Sequence, residues 1–337
     1  MSNREKPLFY TAIGGQALIE GVMMKGEKKV AMAVRTKEGQ IETECKDLPE
    51  KKWYQKCPFV RGIFNFVLQL KDGMGYMNKS MEKSGYLEDD EEEEPSKFEK
   101  WLEKTFGKSI IAVVSVIGTI LGVGAALVLF IFLPTWLFTG LQALLGETDI
   151  SPFRSLFEGV LKMIIYVAYL WLTSLMKEMR RVYEYHGAEH KTLATYEAGE
   201  ELTVENVKKH IRFHPRCGTS FIFLVLAISI LVTSIVPINS EQFIAWFGVG
   251  KFIADLMRAV CKILLIPLIV GISYEIIKLA GKYDNIATRI ISAPGLALQR
   301  LTTKEPDGEQ IECAIAAINL VLPDESEKEK AEKKKKK

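Results

Sequence analysis

Four long runs with few or no charges constrain this chain more than any other feature. Ser109 to Leu133 is 25 residues without an ionisable side chain. Gly159 to Met176 carries only Lys162, Gly218 to Pro237 carries no charge, and Ile263 to Ala280 carries Glu275 and Lys278. A hydrocarbon core takes about 20 apolar residues to cross as a helix. It also offers no partner to a backbone group left unpaired, so crossing segments are helical or closed barrels. The runs therefore predict a mainly α, polytopic helical membrane protein of about four spans, within a membrane domain over 109–281. Two more apolar pieces, Thr135 to Leu145 and Phe243 to Ile253, are expected as interfacial or re-entrant helices. The composition suits this: 48% of residues are hydrophobic and 26% charged, and the two classes are segregated along the chain.

Basic residues set the expected orientation. Between the second and third runs lie Arg180, Arg181, Lys191, Lys208, Lys209, Arg212 and Arg216, whereas 134–153 has none and 238–257 only Lys251. The positive-inside rule then places the 178–217 loop and both termini in the cytoplasm. The acids Glu88 to Glu94 read as a solvated linker over 85–98. The tail from 323 to 337 ends in five lysines and is expected to be disordered, attracting anionic lipid or a phosphate backbone such as ribosomal RNA. A net charge of +2 is too small to mark a DNA-binding protein. Five scattered cysteines without a CxxC pair do not make a disulfide framework. The first seven residues lack the apolar core of a signal peptide.

The remaining segments read as cytoplasmic. Residues 8–50 form a small β element, with strands at Val30 to Arg35 and Gln40 to Cys45 around a turn at Lys37-Glu38-Gly39. The glycines at 14, 15, 21 and 26 lack the Lys-Ser/Thr of a phosphate loop and mark turns and close packing. Glu20, inside an apolar stretch, needs a partner if buried. Within 53–84, Phe59, Val60, Ile63, Phe64, Val67 and Leu70 recur at helical spacing, giving an amphipathic or interfacial helix. Residues 282–322 hold two C-terminal helices. The second carries Ile311, Ile315, Ile318 and Leu322 on one stripe, suited to docking on the β element or the 178–217 loop.

The chemistry concentrates between Tyr185 and Ser220, where three of the four histidines fall in two short motifs. His186-Gly187-Ala188-Glu189-His190 fits H-x-x-E-H, in which two histidines one helical turn apart hold zinc and the glutamate is a general base. His214 and Cys217, three apart, can supply further ligands of a divalent transition metal, best matched by zinc. With Cys217 as a fourth ligand the site is closed and structural. With His186, His190 and His214 alone, a water fits and hydrolysis becomes possible. A nucleophilic cysteine beside His214 is a third arrangement, and polar histidines pairing with acids such as Glu184 and Glu197 a fourth. Glu275, an ionisable residue within a span, is expected to face the bundle interior or a cavity and to join the catalytic set.

Together Gly14 to Met24, Tyr185 to Lys191, His214 to Phe221, Gly271 to Lys278 and Ile311 to Leu322 resemble the YqhQ-like family of bacterial membrane proteins. The resemblance covers nearly the whole chain. It implies a multi-pass protein of the bacterial cytoplasmic (inner) membrane and a metal-dependent enzyme using His186, Glu189, His190, His214 and Cys217. It supplies no substrate. Two functions are therefore expected in competition. One is a metal-dependent hydrolase acting at the cytoplasmic membrane surface. The other is a non-enzymatic factor in membrane-protein biogenesis, associated with membrane proteins or the ribosome through the basic tail and carrying a structural metal.

Overall fold

The computed structural model describes residues 8–9, 11–50, 52–86, 110–146, 148, 150–215, 217–236, 239–283 and 285–323. The acidic run at 88–94, Arg216 and the lysine tail lie outside these residues. The chain divides into two compact units, one drawn from 1–87, 171–220 and 278–337, the other from 88–170 and 221–277.

The first unit is built on an antiparallel sheet in the order β1 (Gly14–Leu18), β2 (Gly21–Lys25), β3 (Lys29–Arg35), β4 (Ile41–Asp47). The sequence pattern finds β3 and β4 but reads β1 and β2 as a glycine-punctuated run. The reason is that the middle of the sheet is covered on both sides, so β2 and β3 are apolar throughout and do not alternate with polar residues. On one face Val22, Met24, Ala31 and Ala33 meet α5 (Lys177–Glu197) and α11 (Gly308–Val321). On the other, Met23, Val30, Met32 and Val34 meet Tyr76 and Met77 of α1 (Val60–Lys83). Small alanines on the first face let two helices lie close. The bulk of Met32 and Val34 fills the second.

Local signals fix the helix ends. Asp307 accepts a hydrogen bond from the Gln310 amide (2.8 Å), while the Gln310 side chain accepts from the Asp307 amide (3.0 Å), a reciprocal cap that starts α11. Asn285 and Thr288 form the same arrangement at the start of α10 (Ile286–Thr302). The 178–217 link between spans is mostly helical, as the spacing of His186 and His190 requires: α5 is followed by α6 (Val204–Lys209), capped by Thr203. Helix α11 docks on β2, β3 and α5, so its apolar stripe reaches both of the surfaces expected for it.

The second unit holds the long apolar helices. Among the described residues, four segments are long and apolar enough to cross a membrane: Ile120–Leu144, Ser151–Thr173, Gly218–Ile235 and Lys251–Ala280. Large side chains such as Ile120, Leu121, Ile164, Leu231 and Leu264 are exposed along them, as suits contact with lipid. The first takes in the end of α2 (Ile110–Leu127), a π-helical turn at Val128–Phe132 and α3 (Leu133–Leu144). Thr135 to Leu145 is thus a continuation of the first span and not a separate interfacial helix. Pro134 cannot donate a backbone hydrogen bond, and the wider turn before it lets the helix continue. The second is α4 (Arg154–Thr173) and the third α7 (Gly218–Ile235). The piece expected at Phe243 to Ile253 splits into α8 (Ser240–Phe247), ended by left-handed Gly248, and the first residues of α9 (Lys251–Lys282).

Candidate metal centre

Helix α5 carries the site, and three of its stripes explain how it is held. Arg181, Tyr185 and Glu189 are spaced four apart and face the β1–β2 hairpin. Arg181 donates two hydrogen bonds to the Glu20 carboxylate, one of them 2.7 Å, and the Tyr185 hydroxyl donates a third at 3.2 Å. This is the partner that Glu20 requires. Glu20 sits in the two-residue turn with φ +52°, so the hairpin pays local strain to present that carboxylate. One turn further along α5, the backbone N–H of Gly15 donates to the Glu189 carboxylate. A Cβ at Gly15 would fall 2.8 Å from Glu189 side-chain carbons, so the strand approaches the acid closely only because residue 15 is glycine.

The second stripe is Gly187 with Lys191. A Cβ at Gly187 would lie 2.0 Å from the Lys304 carbonyl oxygen. The glycine inside H-x-x-E-H, unfavourable for a helix in isolation, is there because the chain after α10 passes directly over it. Lys191 donates to the Lys208 carbonyl (3.1 Å) and pairs with Glu305 (2.6 Å), tying the same segment and α6 to the helix.

The third stripe is His186 and His190. The Nδ1 of His186 is 2.8 Å from the Thr302 carbonyl oxygen, and that of His190 is 2.7 Å from the Arg212 carbonyl oxygen. A carbonyl only accepts, so each Nδ1 carries the proton and donates. Both Nε2 atoms then face forward. The Cys217 sulfur meets them there, 3.2 Å from His186 Nε2. One ligand atom each from His186, His190 and Cys217 lie within 4.8 Å of one another. His190, Cys217 and Glu189 are buried, and His186 is partly exposed.

The charges at this cluster are mutually dependent. Burial opposes a charge on Cys217, but the facing imidazoles of His186 and His190 overcome it and hold the thiol well below its usual pKa. Burial likewise disfavours a charged His186, and the neighbouring Cys217 sulfur outweighs it, raising the imidazole to about 9. Glu189 is pushed up by burial, against the pull of His190 and His186, with its Oε2 4.0 Å from His186 Nε2. A thiolate with two imidazole nitrogens and a carboxyl raised by burial is a donor set with an adjacent proton carrier.

His214 is not part of the three-atom group. Its ring lies 5.7 Å from that of His190 between centroids, and its Nε2 is 3.6 Å from Glu197. Gln299 grips its backbone on both sides, accepting from the His214 N–H (2.8 Å) and donating to its carbonyl (2.7 Å). Glu197 in turn accepts from the Thr11 N–H at 2.9 Å. Glu275 lies in α9, partly buried, and belongs to the second unit. Gly15 was expected among the close-packing glycines, without its partner Glu189; Arg212, Gln299 and Thr302, which act through backbone groups or on backbone groups, were missed.

A family model described as "Protein of unknown function (DUF1385)" matches residues 57–324, most of the chain. The chain belongs to this family. Its similarity extends to "Uncharacterized protein YqhQ" of Bacillus subtilis (strain 168), 34% identical over 332 residues, covering 96% of this chain and 95% of the relative. No solved structure matches the chain. For this DUF1385 member, the family therefore establishes kinship, and the chemistry has to be argued from the cluster itself.

Proposed function

We propose that this protein is a metal-dependent hydrolase of the bacterial inner membrane. In this reading His186, His190 and Cys217 bind a divalent ion, best matched by zinc, and Glu189 moves the proton. The observation that carries it is the orientation of the two imidazoles. Each gives its Nδ1 proton to a backbone carbonyl and turns its Nε2 toward the same thiol. Such rear hydrogen bonds fix the tautomer that a metal needs and raise the basicity of the nitrogen facing it. A thiolate and two imidazoles suit zinc better than the hard cations, which prefer oxygen. Three protein ligands correspond to a site with its fourth position open, the pattern of catalytic zinc.

Zinc supplies Lewis acidity and lowers the pKa of water to about 7. The rest falls to this chain. Glu189, held by the Gly15 amide beside His186, takes a proton from an attacking water and returns it to the leaving group. Its raised pKa brings it closer to working pH, which a residue in both roles requires. His214 positions the segment that carries Cys217 through its contacts with Gln299 and Glu197. The seven basic residues over 178–217 support a cytoplasmic location for this site, with both termini on that side.

A metal-free Cys217–His186 pair is the competing reading, favoured by their 3.2 Å separation and by the position of Cys217 just before α7. Zinc content separates the two. The hydrolase reading expects purified protein to hold zinc, Glu189→Gln to retain it, and that variant to lose turnover against panels of peptide and ester substrates. A metal-free protein whose turnover is abolished by thiol alkylation would favour the pair. A Glu189→Gln variant indistinguishable from wild type in turnover and in the cell would favour a non-enzymatic membrane factor with a structural metal.

A further inference from the structure

Helix α10 turns two faces to different surroundings. On one, Ser292, Gly295, Leu298, Gln299 and Thr302 are buried. This face holds the metal centre from behind: the Thr302 carbonyl accepts from His186 Nδ1, and Gln299 grips the His214 backbone. On the other, Ile286 is 78% exposed, Ile290 67% and Ile291 39%. Ala293 and Ala297 continue that exposed stripe, at the spacing of a helix with one apolar side turned outward.

Chain continuity fixes where this outward side lies. The fourth crossing segment ends at Ala280, and only 281–285 separate it from the start of α10 at Ile286. Midway along α10, Gly295 lies against Ser220. A Cβ there would collide with the Ser220 side chain, whose hydroxyl also accepts from Gln299 Nε2 at 3.3 Å. Ser220 stands in the first turn of the third crossing segment, which begins at Gly218. The helix is thus tied to the ends of two spans, one at its start and one at its middle, and a span ends where the hydrocarbon does. Facing water there, the isoleucines would leave their apolar surface unburied. The charge pattern agrees: 286–302 holds Arg289 and Arg300 and no acid, which suits anionic headgroups. Within the centre, His186 is partly exposed while His190, Cys217 and Glu189 are buried. The open approach therefore runs past the imidazole that α10 holds.

We propose that α10 lies in the headgroup region of the bilayer, with Ile286, Ile290 and Ile291 toward the acyl chains, and that the centre behind it takes a membrane-anchored amphiphile as its substrate. The substrate class rests on the hydrolase reading above; the lipid seat of α10 does not. A helix of this kind settles with its apolar face about 5–10 Å into the boundary between headgroups and acyl chains. A substrate held at that depth by its own acyl chain meets the centre at a high effective concentration, which a water-soluble analogue lacks.

The test uses the full chain in vesicles of phosphatidylglycerol and phosphatidylethanolamine. Cys45, Cys57 and Cys261 are changed to serine, which leaves the two buried cysteines. One nitroxide label is then attached at Ile290→Cys, at Ala297→Cys or, in the β3–β4 turn, at Glu38→Cys. Power saturation compares collisions with oxygen, which concentrates in the bilayer, and with a nickel chelate, which stays in water. The α10 labels should favour oxygen about threefold or more, and the Glu38 label the chelate. Labels on α10 that favour the chelate would overturn the proposal. Labels shielded from both would overturn it in favour of a protein cover. In the same vesicles, ester and peptide substrates with an acyl anchor should show kcat/KM about tenfold higher than the same compounds without one. Ile290→Glu should remove most of that advantage with zinc content unchanged. Equal turnover with and without the anchor would overturn the substrate class. No turnover of either, with the α10 labels in lipid, would uphold the lipid seat and remove the hydrolase reading together with the substrate class drawn from it.

Discussion

The two units each bury a group of ionisable side chains, but they treat the group in opposite ways. Around Glu158 the side chains answer one another directly, with one carboxylate bonded by two arginines and a lysine. Around Cys217 the imidazoles are held from behind by the carbonyls of Thr302 and Arg212, and their forward nitrogens converge on a shared point. The first arrangement spends the donors of its side chains on holding the helices together. The second leaves donor atoms facing a common centre, and backbone groups do the holding. That difference is why the sulfur and imidazoles make a candidate reactive centre, while the Glu158 cluster makes a closed network of ion pairs.

Substitutions can break this contrast, and the largest effect is expected at Glu158. Glu158→Gln leaves Arg258 and Lys262 buried without their carboxylate. It should lower stability by about 3–5 kcal/mol, read as thermal unfolding in detergent. Glu189→Gln, at an equally buried acid, should cost about 1 kcal/mol or less, because burial already opposes the charge on Glu189 and the amide keeps its contact with Gly15. Similar losses at both positions would erase the distinction between the two clusters.

Next in size is the second grip on the cysteine segment. Gln299→Ala removes both hydrogen bonds to the His214 backbone. Zinc affinity, measured by competition with a chelator, should fall about 10–100-fold while the three ligands stay in place. Gly187→Ala drives a methyl group into the Lys304 carbonyl. A loss of about 1–3 kcal/mol is expected, with a shift of α5 against the segment after α10. The smallest effect is expected at Glu275. Glu275→Gln should leave zinc content unchanged, and elemental analysis of that variant checks it.

What could be read in the sequence was local. The spacing of His186 and His190 requires nothing beyond one helical turn, and the apolar runs announce the spans by length alone. What escaped was long-range or lay just outside a chosen boundary. The Gly15 amide reaches Glu189, and the Thr302 carbonyl reaches His186, only because the sheet and α10 fold onto α5. Their residue types carry no sign of it. The Glu158 cluster escaped for a simpler reason. Counting the second and fourth spans from Gly159 and Ile263 stops just short of Glu158, Arg258 and Lys262, whereas the helices begin at Arg154 and Lys251. Ending the first span at Leu133 hid the continuity of its helix in the same way. His214 shows the converse: the right residue type at a plausible spacing, yet turned toward Glu197 and gripped by Gln299.

The most direct test is elemental analysis of the detergent-purified protein beside His186→Ala and Cys217→Ala, each checked for folding. The convergence of three donors on one point predicts about one zinc per chain in the wild type and a near-complete loss in both variants. A wild-type metal content near zero at neutral pH, or zinc retained undiminished in both variants, would contradict it.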